Sequence, residues 1–502
     1  MDHKPVVWII AGSDSGAGAG IQADFLTCHD FGVHCCTVIT ATTAQNSMGI
    51  NGIFPVSDES FLAQCNALAE DIQPDVIKIG LLATHRQVEI LSAFIKHAKS
   101  TWEKPCKIVY DPVAVASTGE VLTEGELQPI IRQDLLPVVD VITPNLLEVT
   151  ALTGLSLFDD LPLRQAADAI QDFGVEHVVI TGGHGEQTDR CVDSYFSNEK
   201  EYTIENYRVK TPHSHGTGCS YASALAASMA LSYPIPDAMV LASAYIQQGL
   251  RASERIGQGV GAVKHLGWPK DWEHYPTVQL HTAKRDMSHH ESDFSSCRLN
   301  PLGFYPVVDS VEWVEKLLDL GVETIQLRIK NESGLALRDK LDKAIQLAKK
   351  LSAQLFINDH WELAVELGAY GVHLGQEDLE TADLLAIQKA GLRLGVSSHG
   401  YFEICTAMQC RPSYIAFGAI YPTTTKDMSG KIQGLEKLKR YVALIQDIPH
   451  VAIGGIDRKR APEVLETGVK SLAVVRAVTE SKNLEADVEA FQKMIGKSNA
   501  HG

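Results

Sequence analysis

The sequence predicts two α/β domains in tandem: an open, mostly parallel sheet in three α/β/α layers, then a (β/α)8 barrel. Three observations predict this. The chain has 502 residues, too long for one ordinary core and suited to two domains of roughly 200–300 residues each. Over residues 1–280, short apolar runs alternate with stretches of helical spacing, the mark of a mostly parallel sheet covered by helices. From Phe304 onward a second series begins, with eight strand-like runs in about 200 residues, the count of a compact barrel.

In the first domain the candidate strands are Val6–Ile10, Val38–Thr40, Val76–Ile79, Ile108–Asp111, Val141–Thr143 and Val178–Thr181. Ser60–Glu70 and Leu163–Phe173 carry helical apolar spacing between them. Residues 282–300, TAKRDMSHHESDFSSCRLN, are polar and without period, and read as a linker. In the second domain the runs are Phe304–Val308, Thr324–Arg328, Gln354–Asn358, Gly371–Gly375, Arg393–Ser397, Tyr414–Gly418, His450–Gly454 and Ser471–Val475. Ser310 can cap the first helix and Gly321 can end it. An open doubly wound sheet is the alternative for this half.

A formal net charge of -18 argues against nucleic acid or anionic membrane as partners and for small-molecule chemistry. Ten scattered cysteines, with no CxxC pair and no secretory signal, suggest reduced thiols and a cytoplasmic enzyme. No segment approaches about 18 uninterrupted apolar residues, so no membrane span is expected.

Three motifs in the first half bear on chemistry. Residues 11–24, AGSDSGAGAGIQAD, form a glycine-rich loop after the first strand. Glycines let backbone approach a ligand, but neither a Walker A loop nor GxGxxG is present; a plain strand–helix turn reads equally well. His215-Gly216-Thr217-Gly218-Cys219 leads into an Ala-rich helix. A helix N-terminus suits a transferring phosphoryl group, and its field can lower the pKa of Cys219 enough to make it a base; a small buried cysteine is the alternative. In Thr143-Pro144-Asn145-Leu146-Leu147-Glu148, Asn145 and Glu148 share a helix face and can serve magnesium beside nucleotide phosphates, or simply start a helix.

Together with Ala44-Gln45-Asn46 and Asp111-Pro112-Val113, these runs resemble the hydroxymethylpyrimidine and phosphomethylpyrimidine kinases of the ribokinase superfamily over residues 5–270. The resemblance implies that Asp24 and Gln45 hydrogen-bond the aminopyrimidine. Gly216 and Gly218 would form an anion hole, Cys219 would deprotonate the hydroxymethyl group, and Asn145 and Glu148 would serve Mg2+ and ATP. Thr181, before Gly182-Gly183-His184, stands where the family often has Lys.

In a (β/α)8 barrel the site lies at the C-terminal strand ends. Those positions hold Gln326, Arg328 and Lys330; Asn358 and Asp359; Gln376 and Asp378; Ser397 and His399; Pro422 to Lys426; Gly454-Gly455; and Val475-Arg476. Asp359 and Asp378 suit one Mg2+, while Arg328, Lys330 and Lys426 suit a pyrophosphate. The ring fits two phosphorylated ligands.

The runs IQLRIK (325–330), FINDH (356–360), GVHLGQEDL (371–379), LGVSSH (394–399), PTTTK (422–426) and AIGGI (452–456) resemble thiamine-phosphate synthase over about residues 304–480. The resemblance implies that Gln326, Leu327, Arg328, Ile329, Lys330, Asn358, Ser397 and Lys426 bind the pyrimidine pyrophosphate. Thr423, Thr425, Gly455, Val475 and Arg476 would hold the thiazole phosphate. Ile329 and Arg476 depart from the Glu and Ser that the family often has. The expectation is a bifunctional enzyme of thiamine biosynthesis, with a kinase at 1–281 and a synthase at 301–502. The alternatives are a non-catalytic half or a pyridoxal kinase in the first half. Homo-oligomerisation enters only by analogy with such folds.

Overall fold

The structure is a computed structural model that describes residues 4–113, 126–155, 162–183, 189–280, 292–423 and 432–500. The chain divides into two compact units, 1–282 and 283–502.

The first unit is built on a 10-stranded sheet. Its strands are β1 (Val6–Asp14), β2 (His34–Asn46), β3 (Gly49–Pro55), β4 (Val76–Ile79), β5 (Lys107–Tyr110), β6 (Val141–Ile142), β7 (His177–Ile180), β8 (Arg190–Phe196), β9 (Glu201–Tyr207) and β10 (Thr277–Leu280). The order is β10-β9-β8-β7-β6-β5-β4-β1-β2-β3. Strands β2, β1, β4, β5, β6 and β7 run parallel. The edges are antiparallel. Strands β1, β4, β5, β6 and β7 are mostly apolar and buried, as expected where helices cover both faces, whereas β2 carries polar residues toward its end. The reversal from β1 to β2 on one side and β4 on the other opens a crevice at the strand C-termini, where ligands bind in such sheets. The Ala-rich helix Thr217–Ala230 packs at this end, its small side chains buried.

The second unit is a closed barrel, β11 (Phe304–Val308), β12 (Thr324–Leu327), β13 (Gln354–Asn358), β14 (Gly371–Leu374), β15 (Arg393–Ser398), β16 (Tyr414–Phe417), β17 (His450–Ile453) and β18 (Leu472–Val474). Every adjacent pair is parallel, including β11 with β18. This excludes the open-sheet alternative. Ser310 caps the first barrel helix by accepting from the Trp313 amide, and Gly321 follows it at φ 72°. Part of the stretch read as linker does other work. Cys297 is buried in the barrel core beside Tyr305 and Phe356. The Phe294 amide donates to the Arg411 carbonyl (3.1 Å) and the Leu299 amide to Gln354 Oε1 (3.0 Å). Residues 292–300 therefore close the N-terminal face of the barrel; their polar groups satisfy strand ends, which a composition reading takes for solvent exposure.

Candidate functional sites

In the first unit the glycine loop and the His215–Cys219 loop meet. Asp14 accepts from the amides of Gly16 (2.7 Å), Gly18 (3.0 Å) and Ala19 (2.9 Å), which winds the loop around its carboxylate. His215 Nε2 lies 3.2 Å from Asp14 Oδ2 and 3.2 Å from Gln45 Nε2. Burial works against the Asp14 charge, but the His215 hydrogen bond and the loop amides outweigh it and hold the carboxyl below its ordinary value. Gly216 sits at φ 80°, where a Cβ would fall 1.9 Å from the Gly18 carbonyl oxygen; no other residue lets the two loops touch. Gly218, in the unpaired first turn of the helix, has open space in front of it.

Beneath this turn lies a buried charge cluster. Lys78, fully buried on β4, reaches Asp24 at 3.0 Å and Asp111 at 3.6 Å. Asp24 is also bonded by Ser223 Oγ (2.6 Å). This corrects the substrate-contact expectation for Asp24: its carboxylate is sealed from solvent and spent on Lys78 and Ser223. It supports the floor of the site. Cys219 also departs from expectation. Burial pushes its thiol up to about 12, and the nearby Asp24 and Asp111 charges add to this, against the help of Lys78 and the Gly20 amide. Burial and the two carboxylates thus favour the neutral thiol over the thiolate.

Asn145 and Glu148 form a capping box: Asn145 Oδ1 accepts from the amides of Leu147 and Glu148, and Glu148 Oε2 from that of Asn145 (2.8 Å). The Asn145 side-chain oxygen is thus committed to the helix start, and a nucleotide contact would have to come from its Nδ2. Glu148 keeps a further role. Burial and the Asp111 charge push it up to about 8, and burial lifts Asp111 to about 6. Asp111 Oδ2 is buried, with Lys78 Nζ at 3.6 Å and no hydrogen-bond partner among the described residues. Two buried carboxylates that resist ionisation fit a divalent cation.

In the barrel a cavity of about 920 Å3 opens at the C-terminal strand ends. It is lined by Gln326, Arg328, Lys330, Asn358, Asp359, Asp378, Ser397, Thr423, Gly455, Val475 and Arg476. Leu327 and Ile329 do not line it; both are buried on the other face. A strand alternates its side chains, so a contiguous motif delivers only every second residue, and this corrects both expectations. Ile329 instead offers its carbonyl to His360 Nε2 (3.0 Å). Thr425 and Lys426 lie outside the described residues. Asp359, at φ 64°, is raised above its ordinary value by burial and then by Asp378, close enough to hydrogen-bond; Arg328 and His360 act against this. Two mutually repelling carboxylates at the mouth fit a shared cation. Gly455, at φ 65°, has Pro422 O 2.8 Å from where a Cβ would stand, and its carbonyl accepts from Arg460 (2.8 Å).

The residues missed by sequence reading are Lys78, Asp14 and His215 in the first unit, and His373, Tyr305 and Tyr414 in the barrel. A lysine inside the apolar run VIKI was the available signal, since a buried cation must be paired.

The phosphomethylpyrimidine kinase family model matches residues 14–264, and the thiamine monophosphate synthase model residues 304–478. The chain is 31% identical over 506 residues to the probable chloroplastic thiamine biosynthetic bifunctional enzyme of Oryza sativa subsp. japonica, covering 98% of this chain and 89% of that one. The chain belongs to the bifunctional thiamine biosynthetic enzymes. It is also 31% identical to the chloroplastic bifunctional enzyme TH1 of Arabidopsis thaliana, over 98% of this chain and 94% of that one. The thiamine-phosphate synthase of Yersinia pseudotuberculosis is 59% identical over 200 residues, 40% of this chain and 93% of its own length. In this member of the family no helix among the described residues is long and apolar enough to cross a membrane.

Proposed function

We propose that the chain performs two consecutive transfers of thiamine biosynthesis. The unit at 1–281 phosphorylates 4-amino-5-hydroxymethyl-2-methylpyrimidine with ATP, then phosphorylates the monophosphate to the pyrophosphate ester. The barrel at 301–502 couples that ester to thiazole phosphate. There the C–O bond to pyrophosphate breaks, a C–N bond to the thiazole nitrogen forms, and pyrophosphate leaves. The carrying observation is the cavity at the C-terminal strand ends of the barrel, around which Gln326, Arg328, Lys330, Asn358, Asp359, Asp378 and Ser397 converge.

In the kinase, Gln45 and the Asp14–His215 pair border the pyrimidine, and the Gly216–Gly218 turn receives the transferring phosphoryl group. Such transfer needs mainly positioning and charge stabilisation, so a thiol that rests protonated is compatible with it. Asp111 and Glu148 would hold Mg2+ beside the ATP phosphates. In the barrel Asp359 and Asp378 would hold Mg2+, which neutralises charge on the departing pyrophosphate. Arg328 and Lys330 add fixed positive charge; Thr423, Gly455, Val475 and Arg476 border the thiazole phosphate. The free cysteines among the described residues support a reducing compartment such as the cytoplasm.

A coupled assay supplying the hydroxymethylpyrimidine, ATP, magnesium and thiazole phosphate tests this. Thiamine monophosphate should form with ATP consumption and pyrophosphate release. Failure of the barrel to use preformed pyrimidine pyrophosphate, or of the kinase to phosphorylate the alcohol, would remove the respective half. Pyridoxal phosphorylated in preference to the pyrimidine would reassign the first half.

A further inference from the structure

Below the barrel cavity, five side chains form one hydrogen-bonded chain. Gln326 Nε2 donates to Tyr305 Oη (3.2 Å), and Tyr305 Oη meets Tyr414 Oη (2.7 Å). Tyr414 Oη meets His373 Nδ1 (2.8 Å), and His373 Nε2 meets Ser397 Oγ (2.8 Å). Tyr305 and Tyr414 are almost wholly buried, and His373 is 6% exposed. Only the two ends carry a group with further bonding capacity on the cavity side: both Gln326 and Ser397 line it.

The proton count fixes the logic of this chain. Each tyrosine hydroxyl has one proton to give, and a neutral imidazole has one N–H. His373 is buried and its two ring partners are hydroxyls, Tyr414 and Ser397, so no bonded carboxylate supports a charge on it and the ring is neutral. A buried hydroxyl proton left unpaired is costly, so the bonds run the same way along the chain, and reversing one reverses the rest. With the Gln326 amide donating to Tyr305, Tyr305 donates to Tyr414, and Tyr414 donates to His373 Nδ1. His373 then carries its proton on Nε2 and gives it to Ser397 Oγ. Gln326 is left showing its Oε1 acceptor to the cavity, and Ser397 its O–H donor. In the opposite sense Gln326 would show donors and Ser397 a lone pair.

We propose that Tyr305, Tyr414 and His373 are positioning residues that lock the polarity of Gln326 and Ser397 together, so that the synthase selects a pyrimidine bearing an amino donor over one bearing an oxo acceptor. The inference rests on the synthase reading of the barrel. Discrimination of this kind is strong because the wrong ligand leaves buried polar groups unpaired. A site whose two contacts rotated independently would adapt to either ligand.

The test has two arms. In the full chain labelled with 15N-histidine, the His373 resonances, assigned by their loss in His373→Gln, should report the Nε2–H tautomer at neutral pH. An Nδ1–H tautomer would overturn the proposed sense without any variant activity being needed. In the second arm, Tyr414→Phe keeps the ring and removes the link. Its KM for the aminopyrimidine pyrophosphate should rise about tenfold, with kcat changed less, and its preference for the 4-amino over the 4-oxo pyrimidine pyrophosphate should fall at least about tenfold. Tyr305→Phe should act alike. Wild-type preference retained in either variant would defeat the proposal, because packing alone predicts no change in amino-against-oxo selectivity. Loss of the synthase reading would look different: the unsubstituted chain would then form no thiamine phosphate from either pyrimidine.

Discussion

Asp359 and Asp378 follow neighbouring barrel strands with their carboxyls close enough to hydrogen-bond, and Asp378 makes ionisation of Asp359 harder. Burial and then Asp378 raise Asp359, so the folded protein keeps a proton there that the unfolded chain gives up. Stability contributed by this site is greater on the acid side and falls as pH rises through the raised value. Asp378→Asn should therefore raise the metal-free melting temperature of the barrel at neutral pH. The same change should abolish Mg2+ binding, measured by calorimetry, and lower synthase turnover about 100-fold. In the unsubstituted protein Mg2+ should bind more tightly as pH rises, because the cation displaces the proton held at Asp359. Binding that is indifferent to pH would show that the cation sits elsewhere.

Cys219 poses a question about the kinase base. With burial holding the thiol up to about 12, only a trace of thiolate exists near neutrality. If that thiolate takes the hydroxymethyl proton, log kcat for the first phosphorylation rises linearly between pH 7 and pH 9. Cys219→Ala should then lose about 100-fold in turnover and show a flat profile, with synthase activity unchanged. A sloping profile retained in the variant would assign the base elsewhere.

Lys78 is the sole counter-charge that the buried Asp24 and Asp111 share among the described residues. Lys78→Met has nearly the right length but leaves two carboxylates facing each other without a cation. Breaking a buried pair in this way costs about 3–5 kcal/mol. Thermal unfolding should show the first unit melting earlier while synthase activity persists. Because the stranded carboxylates would protonate, the loss should shrink at lower pH. An unshifted transition would mean that the cluster is held by packing alone.

How far the sequence reveals this molecule depends on what each segment buries. The barrel strands were legible because most are short, mainly apolar and buried runs bounded by turn residues; Phe304–Val308 and Gln354–Asn358 match to the residue. The antiparallel strands Arg190–Phe196 and Glu201–Tyr207 were not. Charged and polar residues interrupt each of them, so neither reads as an apolar run, although they pair as a local hairpin. At the sites, glycines and strand-end polar residues stood out because their types are unusual where they occur. Leu327 and Ile329 were over-read because a motif is contiguous whereas a strand alternates. Asp24 was read as a substrate contact because nothing local announces Lys78, which is 54 residues away. The Tyr305–Tyr414 link was hidden for the same reason: it joins residues separated by 109 positions.

Arg476 stands where a smaller residue is common in the resembled family, and two opposite effects are conceivable: it adds charge for the thiazole phosphate or it narrows the entrance. The side chain is exposed at the rim of a cavity that Lys459 and Lys482 also line. An exposed arginine at a wide mouth has room to move aside, so the charge should dominate. Arg476→Ala should raise KM for thiazole phosphate about tenfold, leave KM for the pyrimidine pyrophosphate unchanged, and weaken the salt dependence of the former. At about 0.15 M ionic strength the attraction between exposed charges falls off within about 8 Å, so the difference between the two proteins should narrow as salt is added. Arg476→Ser separates the remaining possibility. If this variant binds thiazole phosphate more tightly than the unsubstituted chain at every salt concentration, the arginine obstructs the pocket, and the charge argument fails.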